Sequence, residues 1–273
     1  MKNYISISGV TDNDELREIH RIYNQEGLSF QLVIGYQASH KSVNQNTQNS
    51  RQPRFFNLGG LCESTLEYGF LPAVHYYTKN NNTVLSDLKK IKNVGVNSFS
   101  TLLQLNTLPL SRNTLSQIQD MGFGIIFKAA VADKQASNSV PLFKRKGIQD
   151  VSSGEITPLI NQITERKDVI DYVMFDPSHG RNLDLVLDEN SMAVRFGKEI
   201  ITDERLRKIG LVYAGGINPD NVLPVMQSLN SFFPGRISID SESGLRTPCD
   251  VLDMICVRKY LVNCQRAITS HNL

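Results

Sequence analysis

Eight short apolar runs, each followed by residues at helical spacing, set the tightest limit on what this chain can become. The runs are residues 4–8, 30–36, 72–77, 96–105, 123–131, 169–176, 211–214 and 236–240. Between them, sets such as Leu16, Ile19 and Ile22, then Val84, Leu88 and Ile91, then Leu115 and Ile118, recur with the period of an amphipathic helix. The second helix, over about 58–68, has the weakest pattern because Gly59 and Gly60 blur its start. Further helices are expected over 155–166, near 200–208, and from about 248 to the end. The run at 123–131 is hydrophobic almost throughout, as a parallel strand covered on both faces must be. Eight strand-helix units in 273 residues, with no linker between them, predict one domain over 1–273 with the (β/α)8 TIM-barrel fold. An open doubly wound sheet would need a glycine-rich turn after its first strand, and Ser8-Gly9-Val10-Thr11 is not one.

The turns at the ends of the last two strands say what the barrel is for. Ala214 leads into Gly215 and Gly216, then Ile217-Asn218-Pro219-Asp220, so a buried strand ends where the backbone must approach something closely. Asn218 is read as an N-cap with Pro219 at the first helical position, and open amides at such a helix start attract anions. The eighth strand repeats the arrangement, passing from Asp240 into Ser241-Glu242-Ser243-Gly244. Loops after strands seven and eight commonly form the phosphate site of a (β/α)8 barrel. Gly215, Gly216, Ser243 and Gly244 are therefore the expected phosphate binders, and a small phosphorylated metabolite is the expected partner.

Composition agrees with a small anionic ligand and with little else. The chain is 40% hydrophobic with a formal net charge of +2 and no run of five like charges, so neither nucleic acid nor a membrane surface is expected as a partner. The N-terminus has no apolar leader and no segment approaches a membrane span, which predicts a cytoplasmic protein. Cys62, Cys249, Cys256 and Cys264 show no metal-ligand spacing; they read as reduced thiols, with Cys249 and Cys256 buried on the last helix.

Several charged residues fall where a barrel mouth would be. Asp176 ends the sixth strand after Val173-Met174-Phe175, a position that reads as catalytic in a barrel, or else as a turn carboxylate. Lys128 interrupts an apolar strand, so it must reach the mouth as a charge partner of Asp176 or of a phosphate, or serve as a desolvated Schiff-base nucleophile. His75 reads as a hydrogen-bonded barrel histidine, His179 as a loop residue able to move a proton near Asp176, and Asp240 as a further cavity residue. Two long polar loops are expected at about 37–57, with Arg51 and Arg54, and at 132–154, with four basic residues.

Three stretches together resemble phosphoribosylanthranilate isomerase: Ile5-Ser6-Ile7-Ser8-Gly9-Val10-Thr11, Ala214-Gly215-Gly216-Ile217-Asn218-Pro219-Asp220-Asn221-Val222, and Ile239-Asp240-Ser241-Glu242-Ser243-Gly244-Leu245-Arg246. Gly180-Arg181-Asn182-Leu183-Asp184-Leu185 is a weaker echo of that family's segment after strand six. The resemblance implies a TIM barrel that performs an Amadori rearrangement without metal or organic cofactor. A general acid opens the ribose ring and a general base takes a proton from the adjacent carbon. Asp176 matches the family's acid, whereas Ser8 stands where the family has a basic cysteine, and Arg246 where it usually has an acidic residue. Arg54 or Arg51 would answer to the family's substrate-clamping arginine. The functions left open are an isomerase of this kind with altered substrate or lost activity, a Schiff-base aldolase using Lys128, and a noncatalytic phosphate-ligand-binding barrel.

Overall fold

The computed structural model describes residues 2–107, 109–129, 156–177 and 185–270. Its strands are β1 (Ile5–Ser8), β2 (Leu32–Ser39), β3 (Leu71–Tyr77), β4 (Leu102–Asn106), β5 (Gly124–Ala129), β6 (Tyr172–Phe175), β7 (Gly210–Tyr213) and β8 (Ile237–Ser241). All pair in parallel and in chain order, and β1 pairs with β8, so the sheet is a closed (β/α)8 barrel. The helices are α1 (Asn13–Gln25), α2 (His40–Gln45), α3 (Leu58–Glu67), α4 (Val84–Asn93), α5 (Arg112–Asp120), α6 (Thr157–Thr164), α7 (Met192–Thr202), α8 (Val222–Phe232) and α9 (Met254–Thr269). Among the described residues no helix is long and apolar enough to cross a membrane.

Local chemistry starts most of these helices. Asp12 accepts the amides of Asp14 and Glu15 at α1, Ser111 and Ser191 cap α5 and α7, and Asp253 accepts from Ile255 and Cys256 at α9. The apolar stripe Leu16, Ile19 and Ile22 is then fully covered against the outside of the barrel, at about 1.5–3 kcal/mol for each such side chain removed from water. The glycines that blur α3 have a packing role, since a Cβ on Gly59 would lie 2.0 Å from the carbonyl oxygen of Val94. Only glycine lets α3 approach the turn after α4.

Side-chain alternation divides the interior in two. Ile7, Ile34, Tyr36, Val74, Leu103, Phe127, Val173, Tyr213 and Ile239 face outward into the core between strands and helices. Inside the barrel, Tyr4, Val33, Ala73, Leu102, Ile126, Tyr172, Met174 and Val212 form a separate apolar plug. The next inward positions along the strands are polar, and they make up the mouth described below.

Four expectations are corrected. The loop expected at 37–57 is shorter, because β2 runs to Ser39 and Ser39 and Ser42 close a capping box that starts α2. The helix expected near 200–208 is α7, which starts at Met192 behind the Ser191 cap and gives way to a turn held by Asp203. The last helix begins at Met254 instead of about 248, since Arg246 bridges to Leu252 and Asp250 takes a left-handed conformation (φ 61°) in the intervening turn. Cys249 is consequently exposed ahead of α9 and Cys256 only half-buried, while Cys62 and Cys264 are the buried thiols. The loop at 132–154 lies outside the described residues.

Candidate functional site

Ser8 is the last residue of β1 and is fully buried, yet its side chain is polar and points into the barrel. Its Oγ donates to Asp240 Oδ1 of β8 at 2.6 Å. The two residues are adjacent only because the barrel closes. A hydroxyl bonded to a carboxylate is worth about 1.5–3 kcal/mol, and it leaves Asp240 as the group positioned to take the Ser8 proton. Space for this pair comes from Gly35 on β2. A Cβ there would sit 2.4 Å from Ser8 Oγ and 2.9 Å from His75 Nε2.

His75, on β3, is 4% exposed and lines the same mouth. Burial lowers its pKa, with the Lys128 ammonium adding to the effect and the Asp240 and Glu242 carboxylates opposing it, so the imidazole is held neutral at pH 7. On the far side, Lys128 Nζ of β5 lies 2.5 Å from Asp176 Oδ2, immediately after β6, and both side chains are largely buried. Lys128 thus points inward, which is how an ammonium on an otherwise apolar strand avoids uncompensated burial. Asp176 also borders the glycine turn, because a Cβ on Gly215 would stand 3.3 Å from its Oδ1.

The two turns expected to hold phosphate pack against each other. A Cβ on Gly244 would meet the Ile217 carbonyl at 2.3 Å, and Ser241 Oγ donates to that same carbonyl at 2.6 Å. Gly215 and Gly216 both have left-handed backbone, at φ 104° and 62°, a succession that turns neighbouring amides outward from the strand. The helix start itself differs from expectation. α8 begins at Val222, and Asn218 accepts the amides of Asp220 and Asn221 in the turn ahead of it, while Asn221 accepts the amide of Asn218. Those amides are occupied. The amides of Gly215, Gly216, Ile217, Ser243 and Gly244, in contrast, donate to no acceptor among the described residues.

Arginines reach the site in a way the sequence did not reveal. Arg54 is exposed at the start of a short 3-10 turn and forms no ion pair among the described residues. Arg51 reaches the mouth: its guanidinium contacts Glu242 at 2.9 Å, Asp250 at 2.7 Å and Ser243 Oγ at 3.1 Å. Glu242 also accepts from Gln37 at 2.6 Å. Arg246 donates to the Gly9 and Ser50 carbonyls and pairs with Asp250, tying the loop after α2 to the ends of β1 and β8. His179 lies outside the described residues.

Ser8, His75, Lys128, Asp176 and Asp240 are therefore gathered at the C-terminal ends of the strands, beside Gly215, Gly216, Ser243 and Gly244. Sequence reasoning missed the bond between Ser8 and Asp240, the part played by Arg51, and Gln104, which follows His75 around the inner face of the sheet. Parity was the available signal for Asp240: Ile239 faces outward, so Asp240 faces inward beside β1 once the barrel closes.

Comparison of the sequence with protein-family profiles finds no match, and no curated protein matches it. The fold does match solved structures. Phosphoribosyl anthranilate isomerase from Thermus thermophilus superposes with a TM-score of 0.57 at 12% identity, over 99% of this chain and 100% of that one. A phosphoribosyl anthranilate isomerase in complex with reduced 1-(o-carboxyphenylamino)-1-deoxyribulose 5-phosphate gives 0.58 at 11% identity, over 97% and 100%. Triosephosphate isomerase from Bartonella henselae gives 0.54 at 13%, over 95% and 98%. At such identities the likeness is one of fold: the chain carries the (β/α)8 barrel that these phosphoribosyl anthranilate isomerases and triosephosphate isomerase share.

Proposed function

We propose that this barrel binds a phosphorylated metabolite and catalyses an aldose-ketose isomerisation, the class of proton transfer to which the Amadori rearrangement belongs. The observation that carries the reading is the hydrogen bond from Ser8 to Asp240, which puts a carboxylate behind the hydroxyl at the position of the family's base. The ligand phosphate sits on the amides of Gly215, Gly216, Ile217, Ser243 and Gly244, which donate to no acceptor among the described residues. The Lys128–Asp176 pair supplies the proton that opens the sugar ring at its ring oxygen. Asp240 then takes the C2 proton through Ser8 or directly, the electron pair left on C2 forms the C1–C2 enol as the carbonyl oxygen at C1 is protonated, and return of the proton to C1 with loss of the O2 proton gives the ketose. Neutral His75 and the closely packed β2 wall keep the pair aligned. The Schiff-base alternative fares less well, because Lys128 is already engaged by Asp176 at 2.5 Å and would have to leave that carboxylate to attack a carbonyl. Four unpaired thiols support a cytoplasmic setting.

The test is exchange of the C2 proton of an aldose 5-phosphate into D2O, followed by NMR, alongside turnover of phosphoribosylanthranilate. Wild type is expected to exchange the proton, and Asp240→Asn to slow exchange by about 10²–10⁴-fold, the usual contribution of a general base. Turnover of phosphoribosylanthranilate is expected to be low in wild type and to rise at least about ten-fold in Ser8→Cys, whose thiol ionises far more readily than a hydroxyl. Absence of exchange in wild type, together with no gain in Ser8→Cys, would remove the isomerase reading. Trapping by borohydride with a carbonyl substrate would favour Lys128 as nucleophile instead.

A further inference from the structure

Gln104 has a place in the mouth that the isomerase steps do not use. It is on β4, in register with His75 on one side and Ile126 on the other, and Ile126 belongs to the inner plug, so Gln104 faces into the barrel. Its side chain is 4% exposed. Nε2 donates weakly to Asn106 Oδ1 at 3.3 Å, and Oε1 is buried without a hydrogen-bond partner among the described residues. Turning the amide over exchanges the two ends but still leaves one of them unpartnered. A buried amide end without a partner is destabilising, and a polar group bound in the mouth would satisfy it.

The neighbours of Gln104 define what that is. Gln37, His75 and Asn106, on β2 to β4, are all uncharged, and His75 is held neutral by burial. The described cations around the mouth are already engaged: Lys128 with Asp176, Arg51 with Glu242 and Asp250, and Arg246 with Asp250 and two carbonyls. A ligand carboxylate directed at the β2–β4 wall would meet no unengaged cation among the described residues. A hydroxyl would find an acceptor and donors.

We propose that Gln104 is a specificity residue whose amide binds a hydroxyl of an aldose phosphate, so that the ligand's non-phosphate end is an uncharged polyol instead of an aryl carboxylate. This rests on the reading of Gly215–Gly216 and Ser243–Gly244 as the phosphate site, and it names the substrate class for that site.

Binding calorimetry with three probes separates the two claims: inorganic phosphate, ribose 5-phosphate, and reduced 1-(o-carboxyphenylamino)-1-deoxyribulose 5-phosphate. Wild type is expected to bind ribose 5-phosphate at least about ten-fold more tightly than either of the others. Gln104→Leu is expected to weaken ribose 5-phosphate by about five- to ten-fold while leaving inorganic phosphate unchanged, since one hydroxyl contact is lost. An apolar side chain of similar volume replaces an unsatisfied amide, so the melting temperature should not fall; Gln104→Met serves as the second variant if Leu packs badly. Tighter binding of the carboxyphenylamino compound by wild type, or an undiminished preference for ribose 5-phosphate in both variants, would overturn the proposal. Gly216→Val tests the underlying reading. If it leaves inorganic phosphate binding unchanged, the phosphate assignment fails, and loss of ribose 5-phosphate binding in Gln104→Leu would still uphold the polyol claim.

Discussion

Replacing Gly35 by alanine adds one methyl group, and the structure says where it goes. The new Cβ would lie 2.4 Å from Ser8 Oγ, 2.9 Å from His75 Nε2 and 3.0 Å from Ser8 Cβ. Gly35 does not have left-handed backbone, so the alanine brings no backbone strain and the whole effect comes from these contacts. Overpacking of a tight interior costs about 1–3 kcal/mol. Relief by rotating Ser8 breaks its bond to Asp240, worth about 1.5–3 kcal/mol for a charged acceptor. The two outcomes are alternatives and are not summed, so Gly35→Ala should destabilise by about 2–3 kcal/mol, a fall in melting temperature of roughly 4–10 °C at this chain length. Ser8→Ala alone loses the bond and should cost about 1.5–3 kcal/mol. In the double variant the bond is lost only once and the closest clash is gone, leaving contacts at 2.9 and 3.0 Å. The double should therefore be less destabilised than the sum of the singles by about 1–2 kcal/mol, a coupling measurable in a urea-denaturation cycle. Additive single effects, or a Gly35→Ala protein within about 0.5 kcal/mol of wild type, would refute the packing argument.

Two further outcomes follow from ionisation. The Arg51 guanidinium beside Asp250 holds its carboxyl down to about 2 from an ordinary 3.8. A depressed carboxyl contributes stability that is full above about pH 4 and is lost as pH falls toward 2. The Asp250 side chain is 36% exposed, so solvent screening holds the net contribution to about 1 kcal/mol or less. Asp250→Asn should lose that acid dependence in urea titrations between pH 5 and 2, and an unchanged slope would contradict the pairing. Burial pushes the Cys62 thiol up to about 12 and raises Cys264 likewise, whereas Cys249 is exposed. Iodoacetamide at pH 8 should modify Cys249 rapidly, and Cys62 and Cys264 only after unfolding, as read by peptide mass. Early labelling of Cys62 would show the α3 packing to be wrong.

The barrel was legible because its signals are local and repeated. A strand buried on both faces must be apolar along its length, and a helix on its outside must carry a stripe, so residues 123–131 and the Leu16, Ile19 and Ile22 set announce themselves. Helix limits were less so where a side chain decides them: Ser191 starts α7 and Asp253 starts α9, and a serine or aspartate several residues from the apolar stripe is a faint mark. The mouth was partly legible. Lys128 and Asp176 stood out as charges on apolar strands, and their contact follows from adjacent positions in the closed sheet. Ser8 and Asp240 did not stand out as a pair, since 232 residues separate them and only closure makes them neighbours. Arg51 was hidden for another reason. Its three-residue offset from Arg54 carries no signal until the Ser39 cap shortens the loop and sets where the guanidinium lands.

The seam between β1 and β8 also fixes when the mouth can come into being. Contacts within the first seven strands join segments close in the chain, and they can accumulate as synthesis proceeds. The bond from Ser8 to Asp240 cannot, and neither can Arg51 meet Glu242 and Asp250, until nearly the whole chain has left the ribosome. Loop closure over such a span is entropically late, and non-local pairing slows folding. Until then β1 exposes an edge ending in a buried serine with no acceptor, which is the surface a chaperone would hold. The Ser8–Asp240 bond thus forms only when β8 closes the sheet, and a chain truncated before β8 has neither a closed sheet nor that bond.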